Sequence, residues 1–196
     1  RFARKGTLHT RLEIDGVEVD LMNVHLQAGY DAACTAVRAE QLDELGRRVA
    51  GLIHEDRTFL VCGDFNDDFK DVSIQEGLHA SSSVDEVKKS VDQPKLYSLF
   101  ADWSCDPKGT IYGKGKWSIF DHMCVTRGLL DQQGWSLDPT TAAIFAPSEL
   151  RTGKAKTPQP QQLGFLEVKR KPEELRGRGR QPLQQDDFPL ERRQSR

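Results

Sequence analysis

An α/β fold is what this sequence predicts, on three observations. Apolar and polar residues alternate through GTLHTRLEIDGVEVDLMNVHL, Gly6 to Leu26, on both sides of Asp15-Gly16. Ala33 to Glu55 switches to helical spacing, and RTFLVCG, Arg57 to Gly63, is a continuous oily run. Period two marks strands, a period near 3.6 marks a helix, and a short apolar run bounded by turn residues marks a buried strand.

The elements follow in order. Asp-Gly favours a tight hairpin turn, so the first stretch reads as two antiparallel strands, with His25 at the tip of the second. In the helix, Val37, Gln41, Leu42, Leu45, Val49, Leu52 and Ile53 mark the inner face, with Arg38, Glu40, Asp43, Arg47 and Arg48 on the others. RTFLVCG is too apolar for a wet face and predicts a strand covered on both sides. The chain is looser from Asp67 to Lys95, where HASSSVDEVKK is a loop or a short helix, and LYSLFADW is a strand or a helical turn. GTIYGKGKWSIFDHMCVT predicts a second hairpin turning at Gly113 to Gly115, its second strand running from Trp117 to Val125. TAAIFAPSEL is a candidate for one more short strand. From Lys154 the chain is rich in Pro, Gln, Arg and Lys, which predicts an irregular basic tail and divides the chain into residues 1–153 and 154–196.

Composition narrows the function. The 196 residues are 37% hydrophobic and 30% charged, which predicts a soluble globular chain, with the cytoplasm as its default location. A net charge of −2 supplies no global pull toward nucleic acid or acidic lipid, so any such attraction has to be local. Cys34, Cys62, Cys105 and Cys124 form no Cys-x-x-Cys pair, which predicts free thiols rather than a zinc site or disulfide framework. No apolar run approaches the roughly 20 residues a membrane span needs. Trp103, Trp117 and Trp135 are expected to pack in the core or at its rim.

Polar residues gather at the ends of the oily strands: His25, then Asp64 and Asn66 in LVCGDFNDDF, then Asp121 with His122. A carboxylate buried without a partner is costly, so each of these is paired or faces a cleft. An imidazole and an amide can hold phosphoryl oxygens, a carboxylate can orient a water, and a hard cation can neutralise developing charge. That combination suits hydrolysis at phosphorus.

NVHLQAG, RAEQLDEL, VCGDFND and GKWSIFDHMCVTRGLL, in that order, resemble the endonuclease/exonuclease/phosphatase superfamily over roughly Gly6 to Leu130. The resemblance implies a two-layer β-sandwich flanked by helices, here incomplete, and a metal-dependent phosphoesterase using Mg2+ (or Mn2+) on a phosphate-ester substrate. It implies that His25 contacts the scissile phosphate, that Asp64 orients the attacking water with Asn66 beside it, and that Asp121 orients a catalytic histidine. His122, the next residue along a strand, points to the opposite face and reads as structural.

Two departures bear on activity. The family's metal-holding Asn and Glu would precede Arg1, and its final Ser-Asp-His strand has only QQDDFPL as a counterpart. There Asp186 matches a metal-side aspartate, but Asp187 stands where the histidine belongs. The tail reads as diverged or as altered by a change of reading frame. The expectation is a phosphoesterase by descent, weak or inactive as this chain. The alternative is a non-catalytic relative that binds or scaffolds.

Overall fold

The computed structural model describes residues 5–105, 108–132, 135–145, 164–165 and 168–170. Strands β1 (Gly6–Ile14) and β2 (Val17–His25) form the first hairpin, turning at Asp15 and Gly16 with φ of 51° and 77°. Two successive left-handed residues make the turn whose twist matches the flanking strands, which is why Asp-Gly sits there. Helix α1 (Ala32–His54) follows, its first turn capped by the Asp31 carboxylate, which accepts from the Cys34 N–H at 2.9 Å. Strand β3 (Phe59–Asp64) then lies parallel to β2.

After the short α2 (Val72–Gln75) come β4 (Ala80–Ser81), α3 (Val84–Lys89) and β5 (Leu96–Ser98). HASSSVDEVKK is therefore a short strand and a short helix, and LYSLFADW begins as a strand. The ribbon β6 (Ile111–Gly113) and β7 (Lys116–Ser118) precedes β8 (Asp121–Val125). One sheet has the order β1-β2-β3-β8-β5-β4, with parallel and antiparallel neighbours. The strands β9 (Trp135–Leu137) and β10 (Ala143–Ile144) pair with β12 (Val168–Arg170) and β11 (Gly164–Phe165), respectively.

Each face of the sheet has its own apolar cluster. On one, Met22, Val24, Val61 and Cys124 pack with Leu42, Leu45 and Val49 of α1. On the other, Met123 and Val125 pack with Phe100, Leu129, Leu137 and Ile144, so β9 and β10 bring the second layer. Fully burying each such side chain is worth about 1.5–3 kcal/mol, so these clusters dominate the favourable side of folding. The α/β class and the helix-flanked mixed sheet agree with the sequence. Among the described residues, the second layer is made of short ribbons rather than another large sheet.

Three local expectations are corrected. Arg38, assigned to an outer face, is 5% exposed, whereas Val37, assigned inward, is 43% exposed. The reason is the stripe 38-42-45-49-52, which keeps helical spacing and ends on a partner for the guanidinium. The strand expected from Trp117 to Val125 breaks at Ile119 and Phe120 into β7 and β8. Strand β3 is not sealed on both faces: Phe59 and Val61 are buried, while Leu60 and Cys62 are only half covered.

Asp20 lies on the α1 face of β2 and is fully buried. His9 at 2.8 Å, Arg11 at 3.1 Å and Arg57 at 2.9 Å surround it. Burial pushes its carboxyl up, but hydrogen bonds from His9, Arg11 and Arg57 outweigh that and hold it below its ordinary value. No helix among the described residues is long and apolar enough to cross a membrane.

Candidate active site

Register places the site. His25 at the end of β2 pairs with Asp64 at the end of β3, and Asp64 pairs with Asp121 at the start of β8. Side chains directly opposite one another share a face, so all three point the same way. They line a cavity of about 220 Å³ together with Asn23, Cys62, Phe100, Thr110 and Ile144. His122 pairs with Gly63 on the opposite face, and its Nε2 lies 2.9 Å from the Asp67 carbonyl, to which it donates. Burial lowers the basicity of that imidazole.

The glycine before Asp64 is required by the backbone. Gly63 has φ of 131°, and a Cβ there would fall 2.0 Å from the Val24 carbonyl oxygen. β2 and β3 therefore approach more closely at this point than any side chain allows, which brings His25 beside Asp64. His25 Nε2 is 3.7 Å from Asp64 Oδ2, beyond hydrogen-bond length, and its side chain is 56% exposed. The ring thus has freedom to turn toward a ligand.

Asn66 takes a left-handed conformation at φ of 55°, where asparagine is better tolerated than most residues. Its N–H donates to Asp64 Oδ1 at 2.9 Å, and its Nδ2 donates to the Leu26 carbonyl at 3.0 Å. Asn66 therefore fixes the Asp64 carboxylate and ties the loop after β3 to the end of β2. It is not among the residues lining the cavity. Asp186 and Asp187 lie outside the described residues.

Burial pushes the Asp121 carboxyl up to about 6, the neighbouring Asp64 charge adds to the rise, and a hydrogen bond from Thr110 opposes it. The unfolded value is about 3.9, so the native state binds more protons between about pH 4 and 6 and stability falls as pH rises through that window. Asp121→Asn removes the penalty. Its advantage over wild type in chemical denaturation should grow from near zero at pH 3.5 to on the order of 2 kcal/mol at pH 7.5. A constant difference across that range would mean Asp121 is not the group titrating.

Two contributors escaped sequence reasoning. Thr110 accepts from the Phe120 and Asp121 N–H groups at 2.9 and 3.1 Å, pinning the start of β8, and nothing in GTIYG advertises it. Arg38 reaches from α1, its Nε 2.7 Å from Asp67 Oδ1 and its Nη1 donating to the Gln27 and Gly29 carbonyls at 2.8 and 3.0 Å. One guanidinium thus braces the loops after both β2 and β3. Its place on the 38-42-45-49-52 stripe was the available signal.

The profile of the Endonuclease/Exonuclease/phosphatase family matches residues 8–163. The chain belongs to that family. Its members are phosphoesterases and nucleases. Solved structures similar to this chain include a Staphylococcus aureus beta toxin, 16% identical over 73% of this chain and 49% of that one, with a TM-score of 0.43. A Bacteroides thetaiotaomicron mannosyl-6-phosphatase is 15% identical over 69% and 46%, at 0.39. Sphingomyelinase C from Streptomyces griseocarneus is 13% identical over 83% and 53%, at 0.37. The chain spans about half the length of these proteins. No curated protein sequence matches it.

The family implies a magnesium ion. Among the described residues no three His, Cys, Asp or Glu side chains are grouped to hold a metal ion. Asp64 and Asp121 offer two hard oxygen donors, and such an ion is commonly held by one or two carboxylates while it keeps several waters. Asp64 and Asp121 are the described carboxylates of the cavity that could take part in holding it.

Proposed function

We propose that this cleft handles a phosphate ester and, in the intact protein, hydrolyses it. The observation that carries the reading is the shared register of His25, Asp64 and Asp121 in one cavity of a chain from this family. Asp64, held by the Asn66 N–H, is the group that orients the attacking water. His25, exposed at the rim, contacts a non-bridging oxygen and stabilises charge as the P–O bond breaks. Asn66 keeps the carboxylate aimed. Asp121 orients a general-acid or general-base partner. The magnesium dependence expected of the family would draw on the carboxylates of Asp64 and Asp121, and no step is assigned to it.

The test is hydrolysis of bis(p-nitrophenyl) phosphate by the full chain, with magnesium and with chelator. Asp64→Asn is expected to lower turnover at least about a hundredfold, the low end of what losing acid–base help costs. Turnover unaffected by that substitution would remove the site from consideration, and turnover equal in chelator would remove the metal. The second reading is a binding domain without chemistry. Absent turnover, with inorganic phosphate bound by wild type and not by His25→Ala, would establish it.

A further inference from the structure

The ribbon of β6 and β7 starts at the rim of the cleft, where Thr110, the residue before it, lines the cavity. Its base is Thr110, bonded to the start of β8 beside Asp121. Its turn, Lys114 and Gly115 at φ of 51° and 80°, reaches the loop after β2, where Lys114 Nζ lies 5.2 Å from the centre of the Tyr30 ring. Because β3 lies between β2 and β8, a ribbon rooted at β8 and touching the β2 loop passes the end of β3, where Asp64 sits.

Its composition departs from that of the chain. From Lys108 to Ser118 there are three lysines and no acid, in a protein of net charge −2. Lys108, Lys114 and Lys116 are all exposed. Aromatic rings alternate with them: Tyr112 and Trp117 meet edge to face at 5.2 Å, and Tyr30 is 74% exposed.

We infer that this ribbon is a binding arm for single-stranded nucleic acid laid across the cleft. Lys114 and Lys116 contact phosphates flanking the one at Asp64, and Tyr30 and Tyr112 offer ring surface to unstacked bases. The inference rests on the phosphoester reading of the cleft and names its substrate class. A cationic groove with interleaved aromatics is the common chemistry of single-strand binding, whereas a lone phosphomonoester has no second phosphate to reward the lysines at the tip. A duplex keeps its bases stacked away from the rings. A hairpin that enters a membrane leads with apolar residues, but this turn leads with Gly113-Lys114-Gly115-Lys116. The net negative charge is no obstacle, because the attraction is local.

The experiment is fluorescence anisotropy of a fluorescein-labelled oligothymidylate with the full chain, in chelator so that nothing is cleaved. The double variant Lys114→Gln/Lys116→Gln should bind about tenfold more weakly or worse. The slope of log affinity against log salt should shrink by about 1.4, two contacts at about 0.7 each on a single strand. Tyr30→Leu should weaken binding by about tenfold and leave the slope unchanged, since stacking releases no counterions. All three side chains are exposed, so the fold tolerates these changes. Affinity and slope unaltered by the lysine substitutions, no oligonucleotide binding at all, or ribbon-dependent binding to phosphatidylserine vesicles without oligonucleotide binding would each overturn the inference. Binding is read without turnover, so any of these results leaves the ester-hydrolysis assay standing, and failure of that assay leaves the binding result standing.

Discussion

Gly63→Ala is expected to destabilise the fold by about 4 kcal/mol, a large share of the roughly 5–15 kcal/mol typical of a folded domain. Overpacking a tight site costs about 1–3 kcal/mol, and a left-handed backbone adds about 1–2 for a residue with a Cβ. Both penalties coincide here. At φ of 131° the new Cβ would lie 2.0 Å from the Val24 carbonyl oxygen and 2.8 Å from its nitrogen, both backbone atoms that cannot swing aside. The parallel pairing of β2 and β3 would have to open, and with it the approach of His25 to Asp64. Urea denaturation monitored by tryptophan fluorescence reads the loss. A change under about 1 kcal/mol would mean that β2 and β3 do not approach this closely.

Arg38→Ala is the second large effect, expected to cost about 3–5 kcal/mol, the range for removing one partner of a buried ion pair. The side chain is 6% exposed and Asp67 13%, so the carboxylate left behind cannot be rescued by water. The Gln27 and Gly29 carbonyls lose their donor as well. Arg38→Lys is expected to recover little, because an ammonium lacks the planar fork that serves a carboxylate and two carbonyls together. The double variant Arg38→Met/Asp67→Leu should be more stable than Arg38→Ala, since an apolar pair of similar size leaves no buried charge. Denaturant midpoints of the four proteins check the order. Equal midpoints for Arg38→Ala and wild type would show that the ion pair contributes nothing.

Asp67 follows Asn66 directly, so the Arg38 brace acts on the same turn that aims Asp64. His122 holds the other side of that turn through the Asp67 carbonyl. A helix, a loop and a core histidine thus converge on one short stretch, and damage to any of them reaches the cleft without touching a ligand. This is the common route by which buried supporting groups affect a functional site.

Local chemistry was legible in the sequence. Alternation on either side of Asp15-Gly16 determined the first hairpin, apolar spacing determined α1, and the order of His25, Asp64, Asn66 and Asp121 determined the family, because each depends on residues near one another in the chain. What tertiary structure decided was every feature that depends on distant partners. Arg38 is buried because Asp67 lies opposite it, β8 starts at Asp121 because Thr110 pins it there, and the tip of the β6–β7 ribbon meets the loop after β2 because Lys114 finds Tyr30. Burying a charge or breaking a strand is unfavourable in isolation and becomes favourable only when a group remote in sequence satisfies it, so no local pattern records it.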